Sequence, residues 1–331
     1  MKKATMKDIA AETGVSITTV SKILNNVDMH ISEATRERVL SVAKQRHYVP
    51  NDFAKGLRRK SSNMIGVITY DIADPFVSKI VTGIESVCKA KGISVLICNT
   101  GADEASELDG FRFLSSKMVD GIIFLRPLSS KNEKLVSQFQ IPIIVVDRDF
   151  SLDIPDVGII DSNSLEAVYM ATELLINENC RRIAYIGPTL EVRSSTRING
   201  YINALKKNGK QVDNSLICQV DGFTCETGIQ GVTALFEQND IDGLVCANDL
   251  IAAGALLALS KRGLRIPEDV KVTGIDNISI SQYLNPPLTT VDLHGYEVGT
   301  ECADMLIARI QNDVPLSRKL IGCDIVKRES V

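Results

Sequence analysis

From residue 64 onward the chain alternates short apolar runs with amphipathic helical patterns, and few folds accept that alternation. MIGVITY is followed by PFVSKIVTGIESVCKAKG, in which Val77, Ile80, Val81, Ile84 and Val87 share one helical face. SVLIC, a polar helical stretch through Lys117, GIIFL, a helix near Leu135 and IPIIVV come next. Strands apolar on both faces, joined by crossover helices, are what a parallel sheet covered on both sides requires. After a short strand at 157–160 the pattern restarts. It predicts a helix over about 164–178, the strand RIAYIG, a helix over 199–208, a strand over 216–220, a helix over 226–238, GLVCA, a helix over 250–262 and VKVTGID. Two similar α/β lobes in tandem make a cleft, and 331 residues exceed what one core ordinarily holds.

The first sixty residues obey a different period. TMKDIAAETGVSITTVSKILN, residues 5–25, reads as two short helices joined by a tight turn. Thr5 is an N-cap with Asp8 three residues on, Gly14 suits a left-handed C-cap, and Ser16 caps the second helix. Met6, Ile9 and Ala10 form one apolar stripe, and Val20, Ile23 and Leu24 another. Ile17, Thr18, Thr19, Ser21 and Lys22 stand between them, giving the polar face that a helix-turn-helix lays in the major groove. An ordinary helical hairpin with a solvated face has the same stripes. Charge separates the two readings. Residues 1–60 carry 12 Lys and Arg against 6 Asp and Glu, whereas the remainder carries 25 against 35. An acidic chain with a basic end has set that end aside for phosphates. A third helix, SEATRERVLSVAKQRH, supplies Val39, Val42 and Ala43 to complete a three-helix core. His30 before it can touch a phosphate or simply sit in a solvated loop. Residues 51–59, NDFAKGLRR, are helical by pattern but too short to hold a helix alone in water, and Gly56 weakens it further.

TMKDIAAETGVSITTVSKILNN, together with ISEATRERVLSVAKQRHYVPNDFAKGLRRKSSNMIGVI, resembles the DNA-binding headpiece of the lactose-repressor/galactose-repressor (LacI/GalR) family of bacterial transcriptional regulators. The resemblance implies an all-α helix-turn-helix headpiece plus an α/β core of two Rossmann-like lobes, periplasmic-binding-protein-like of type I. It places the headpiece at 1–49, a hinge helix and linker at 50–62, and an effector-binding and dimerisation core at 63–331. Within the core, lobe one is about 63–161 plus about 292–320, and lobe two is about 162–291 plus the C-terminal segment. Also by resemblance, Ile17, Thr18 and Lys22 reach base edges, while Thr5, Ser16, Thr19, Ser21, Asn25, His30 and Asn51 belong to the same DNA-binding set. In the hinge, Ala54 and Leu57 form an A-x-x-L pattern whose Leu wedges into the minor groove; packing of Leu57 on the core is the alternative. Lys22 stands where the family usually has Arg, so bidentate guanine readout gives way to a point charge.

Ligands of open parallel sheets bind beyond the carboxyl ends of the strands. Asp74 follows MIGVITY, Asp147 follows IPIIVV, Asn248 follows GLVCA and Asp276 follows VKVTGI. Arg197 opens a helix after RIAYIG, and Phe76 and Phe223 add rings. Acceptors, one guanidinium and flat apolar rings suit a small polyhydroxylated ligand. Each residue also has a plainer use, the carboxylates as helix caps and Phe76 as core. R-x-x-G at 197–200, AND at 247–249 and GID at 274–276 carry the family resemblance here, which implies a sugar or sugar derivative as effector. Arg126 and Arg193 are further candidate contacts.

Enzyme chemistry has little to stand on. G-x-S-x-G, G-x-G-x-x-G and Walker motifs are absent, and the histidines are His30, His47 and His294. No metal or cofactor is expected. The eight cysteines show no C-x-x-C spacing and read as structural thiols of a reducing compartment. No apolar run suffices to cross a bilayer, and MKKATMKDIA lacks the core of a secretory signal, so a cytoplasmic protein is expected. The expected partners are double-stranded operator DNA, a small-molecule effector and a second copy of the chain, with nothing to support a tetramer. The alternative regulator responds mainly to a protein co-regulator.

Overall fold

The computed structural model describes residues 4–24, 31–48, 61–101, 103–125, 136, 138–147, 154, 156–188, 191–237 and 240–331, with the backbone alone at 191–195. The chain forms two compact units, residues 1–62 and 63–331.

Among the described residues the first unit holds α1 (Met6–Thr13), α2 (Ile17–Leu24) and α3 (Glu33–Gln45). Thr5 Oγ1 accepts from the Asp8 amide, and the Asp8 carboxylate accepts from the Thr5 amide at 2.8 Å, so both halves of the capping box form. Gly14 ends α1 at φ 67°, a left-handed conformation that only glycine adopts freely. Ser16 Oγ accepts from the Thr19 amide at 3.0 Å at the start of α2, and Ser32 caps α3 through Thr35. Ile9, Ala10, Val20, Ile23, Val39 and Ala43 close the core of this unit.

Among the described residues the second unit holds two six-stranded sheets. The first lobe runs β1 (Met64–Thr69), α4 (Pro75–Ala90), β2 (Ser94–Asn99), α5 (Glu104–Ser116), β3 (Gly121–Leu125), β4 (Ile143–Val146) and β5 (Val157–Asp161). The second runs α6 (Ser164–Asn177), β6 (Ile183–Pro188), α7 (Glu191–Lys207), β7 (Ile217–Val220), α8 (Cys225–Leu235), β8 (Gly243–Cys246), α9 (Asp249–Lys261), β9 (Lys271–Ile275) and β10 (Thr289–Asp292). The chain then re-enters the first lobe with α10 (Gly295–Asn312) and β11 (Arg318–Leu320), and ends in the second with β12 (Asp324–Val326).

Strand order is β2-β1-β3-β4-β5-β11 in one sheet and β7-β6-β8-β9-β10-β12 in the other, the same doubly wound plan twice. GIIFL and IIVV are buried throughout, as strands between two helix layers must be, whereas the edge strand β2 is only partly covered. β12 is the exception to parallel pairing, running antiparallel to β10. Three segments pass between lobes: after β5, after β10 and after β11. The second passage is fastened by a close helix crossing. A Cβ on Gly83 of α4 would lie 2.2 Å from Tyr296 O, and one on Gly299 of α10 would lie 2.0 Å from Ile80 O.

Two details depart from the sequence reading. α7 begins at Glu191, so Arg197 lies in its second turn and does not open it. Residues 191–196 are mostly polar and carry no stripe by which the helix could have been seen. The helix over 226–238 ends at Leu235. The helix near Leu135 falls almost wholly outside the described residues. All eight cysteines are thiols, and burial pushes Cys88 and Cys180 up to about 11, so they stay protonated as small hydrophobes. Among the described residues no helix is long and apolar enough to cross a membrane.

Candidate functional site

Two surfaces gather the candidate residues, one in each unit. In the first, α2 buries Val20 and Ile23 and turns the residues between them outward. Ile17 is 45% exposed, Thr18 is exposed, and Thr19, Ser21 and Lys22 are half-buried along the same helix. Ser16 Oγ and Thr19 Oγ1 lie 2.8 Å apart, so the two hydroxyls hold one another as well as the start of the helix. Thr5 shares its hydroxyl with the Asp8 carboxylate at 2.7 Å. Across the back, Arg46 grips Glu12 with Nε at 2.9 Å and a terminal nitrogen at 2.7 Å, tying the end of α3 to α1. Asn25, His30, Asn51, Ala54 and Leu57 lie outside the described residues.

In the core, the candidate polar residues collect at the carboxyl ends of the strands. Arg197, 1% exposed, donates to the Ala247 carbonyl where β8 gives way to α9. A second guanidinium nitrogen stands 3.5 Å from Asp276 Oδ1, and the group lies 5.3 Å above the Phe223 ring. Asn248 is the N-cap of α9, its Oδ1 accepting from the Ile251 amide at 2.9 Å. Arg197, Phe223, Asp276 and the Ala247–Asn248 corner therefore form one cluster. Asp276 takes φ 101°, a conformation rare for a residue with a side chain, and its N–H donates a hydrogen bond to Val291 O at 2.8 Å.

Lobe one contributes Asp74 and Asp147. Asp74 caps α4, accepting from the Phe76 amide at 2.8 Å and from the Tyr70 hydroxyl. Asp147, at φ 57°, accepts from the Ser162 amide at 2.8 Å, fixing the first passage between lobes. Phe76 is fully buried in the core, and a Cβ on Gly295 would lie 3.0 Å from its ring, so in this state it presents no face to the cleft. Arg126 lies outside the described residues, and only the backbone of Arg193 is described. Among the described residues no cluster of His, Cys, Asp and Glu suits a metal ion.

The role of one group, seen in sequence only as the end of AND, escaped the sequence reading. Asp249, fully buried, accepts from the Ile278 amide at 2.9 Å, Ser281 Oγ at 2.5 Å and Thr290 Oγ1 at 2.6 Å. Burial pushes its carboxyl up to about 6, against the three hydrogen bonds and the Arg328 charge, which pull it down. Its partners are 29 to 41 residues away in sequence, so no local spacing could have disclosed them.

Comparison with known proteins finds relatives for both units. The family of periplasmic binding proteins and sugar-binding domains of the LacI family matches residues 62–329, and the bacterial regulatory proteins of the lacI family match residues 5–51. The HTH-type transcriptional repressor CytR of Escherichia coli (strain K12) is 33% identical over 332 residues, covering 99% of this chain and 96% of that one. The structure of the Lac repressor dimer bound to operator and the anti-inducer ONPF superposes with a TM-score of 0.89 at 28% identity, covering 99% of each chain. A complex of the transcriptional regulator CelR with cellobiose gives 0.74 at 28% identity, covering 99% of this chain and 100% of that one. These relatives are transcriptional regulators and not enzymes. A helix-turn-helix unit and a twin-lobed α/β core, each matched along its length, place this chain in the LacI family of bacterial regulatory proteins.

Proposed function

We propose that the chain is a cytoplasmic repressor that binds a pseudo-palindromic DNA operator as a homodimer. A small-molecule effector of the sugar or sugar-derivative class gates it from the cleft of the core. The observation that carries the reading is α2. An isoleucine 45% exposed at the start of a helix leaves apolar surface open to a partner, and beside Thr18 it offers methyl groups suited to thymine. Ile17, Thr18 and Lys22 face base edges in this reading. Ser16, Thr19, Ser21 and Asn25 serve the backbone, His30 a phosphate, Thr5 and Asn51 belong to the same DNA-binding set, and Ala54 and Leu57 serve the minor groove. The Lac repressor dimer was solved on its operator, which supports the same use of this headpiece.

In the cleft, Arg197 over Phe223 with Asp276 and Asn248 beside it supplies donors, acceptors and an apolar face. Asp74, Asp147, Arg126 and Arg193 complete the proposed set, and Phe76 supports them from the core without meeting the ligand. CelR was solved with cellobiose, which supports a sugar-sized occupant. The effector changes DNA affinity only by its differential affinity for two lobe arrangements, each presenting the paired hinge segments differently.

Selection of bound duplexes from a random pool tests the DNA half, and a recovered pseudo-palindrome is the expected result. No enrichment at moderate salt, with the headpiece folded, would sink it. Calorimetry with sugars, nucleosides and phosphorylated sugars tests the effector half. A saturable micromolar ligand is expected, and it excludes a core that answers only to a protein co-regulator.

A further inference from the structure

The candidate pocket of lobe two is made by segments that do not hold themselves. Asn248 stands at the start of α9, Asp276 follows β9 in a left-handed conformation, and β10 leads into the second passage between lobes. Asp249 touches all three. It is the residue after Asn248, it accepts from Ile278 and Ser281 in the segment after Asp276, and it accepts from Thr290 in β10. Its Oδ1 also lies 2.2 Å from where a Cβ on Gly274 would stand, so β9 has room for this carboxylate only because that residue is glycine.

The residue between Asp276 and Ile278 carries the network onward. The Asn277 amide donates to Thr290 Oγ1 at 3.3 Å, the hydroxyl that Asp249 holds. Its side chain donates to Asp292 at 2.8 Å and accepts from Arg328 at 2.7 Å. Its carbonyl accepts from Lys79, which belongs to α4 of lobe one. One peptide thus adjoins the pocket, the passage strand and the other lobe.

Resting on the effector-gated reading above, we propose that Asp249 is a positioning residue for gating: it fixes the 276–281 segment and thereby the point where Lys79 of lobe one engages lobe two. The carboxylate touches no effector. It converts the place of Asp276 in the pocket into the place of the Asn277 carbonyl in the lobe contact, so that a ligand pulling on Asp276 acts on Lys79 one residue later. A neutral amide cannot reproduce it, because Asn offers one acceptor oxygen where three donors converge.

The test uses the full chain with Asp249→Asn, Lys79→Met and the double variant. Hydrogen exchange read by mass spectrometry is expected to quicken about tenfold in peptides spanning 276–283 of Asp249→Asn, with peptides spanning 183–188 unchanged. Each single variant is expected to shift affinity for the duplex recovered by random-pool selection by about threefold or more in the same direction. The double variant is expected to go no further than the larger single effect, because both changes act through one peptide. Additive shifts, opposite shifts, or unchanged exchange at 276–283 would overturn the proposal even if the melting temperature falls. If Asp249→Asn does not fold, Ser281→Ala, which removes one donor, is read in the same way. If the wild type selects no duplex, the repressor reading fails on its own, and the exchange experiment still decides whether Asp249 positions the segment.

Discussion

Lys22 shows how much a single side chain can say about DNA recognition. An ammonium on a flexible stem attracts a guanine edge but cannot grip it in two places as a guanidinium does. Lys22→Ala is therefore expected to reduce discrimination at one base pair of each half-site by about 1 kcal/mol, the low end for a base contact. Thr19→Ala is expected to weaken selected and random duplexes alike, since its hydroxyl serves the helix start and the DNA backbone. Competition binding on matched and scrambled duplexes separates the two, and equal behaviour of both variants would contradict the assignment. Asp249 carries the second residue-scale prediction. Its carboxyl titrates near 6 in the fold and near 4 when unfolded, so the folded pKa is the raised one. Its relative stabilising effect is then fully present below the unfolded value and fades as pH climbs through the folded one. Urea unfolding at pH 5 and pH 7.5 should show the wild type losing about 1 kcal/mol more stability than Asp249→Asn over that interval. A difference that stays flat, or grows in favour of the wild type, would refute the raised carboxyl.

At the scale of elements, most of what could be read in advance came from repetition. Val77, Ile80, Val81, Ile84 and Val87 announced α4, and all but Val87, which packs partly buried against the core, are buried. Thr5 and Ser16 announced helix starts by the hydrogen bonds their hydroxyls can make, and Gly14 announced a helix end by its freedom to turn left-handed. Thr5→Ala should lower headpiece stability by about 1 kcal/mol, because it removes the cap on the Asp8 amide and the hydroxyl's bond to the Asp8 carboxylate, leaving only the bond from the backbone amide of residue 5; thermal unfolding followed on the isolated transition of residues 1–62 checks this. Polar sequence concealed what repetition could not show. The first turn of α7 carries no apolar stripe, and the crossing of α4 with α10 depends on two residues 216 positions apart, Gly83 and Gly299. Gly299→Val would force a side chain against the Ile80 carbonyl, backbone that cannot step aside. A loss of about 3 kcal/mol or more is expected in chemical denaturation of the core. The polar candidates divide in the same way. Asp74 and Asn248 were legible as strand-end acceptors, and the fold uses both as caps. Asp249 was visible only as the last residue of AND, and nothing local gave it, Lys79 or Asn277 a role, because their partners come from distant strands and the other lobe.

The whole molecule sets a basic end against an acidic body. Its net charge is −4, yet residues 1–60 hold twice as many basic as acidic side chains and the rest holds more acidic than basic ones. A core of that sign is repelled by duplex DNA beyond the range of contact, so attraction must be concentrated in the headpiece and must act at short distance. The consequence is a steep dependence on salt. If two headpieces neutralise six to ten phosphates between them, affinity for the selected duplex should fall by about a thousandfold or more between 50 and 200 mM monovalent salt. Added salt also screens the repulsion from the core, so the fall should be shallower than that of a protein made of headpieces alone. A loss of less than about tenfold over that interval would mean that few phosphates are held. The exposed face of α2 would then need another partner, because base contacts without backbone grip do not fix a protein on its site.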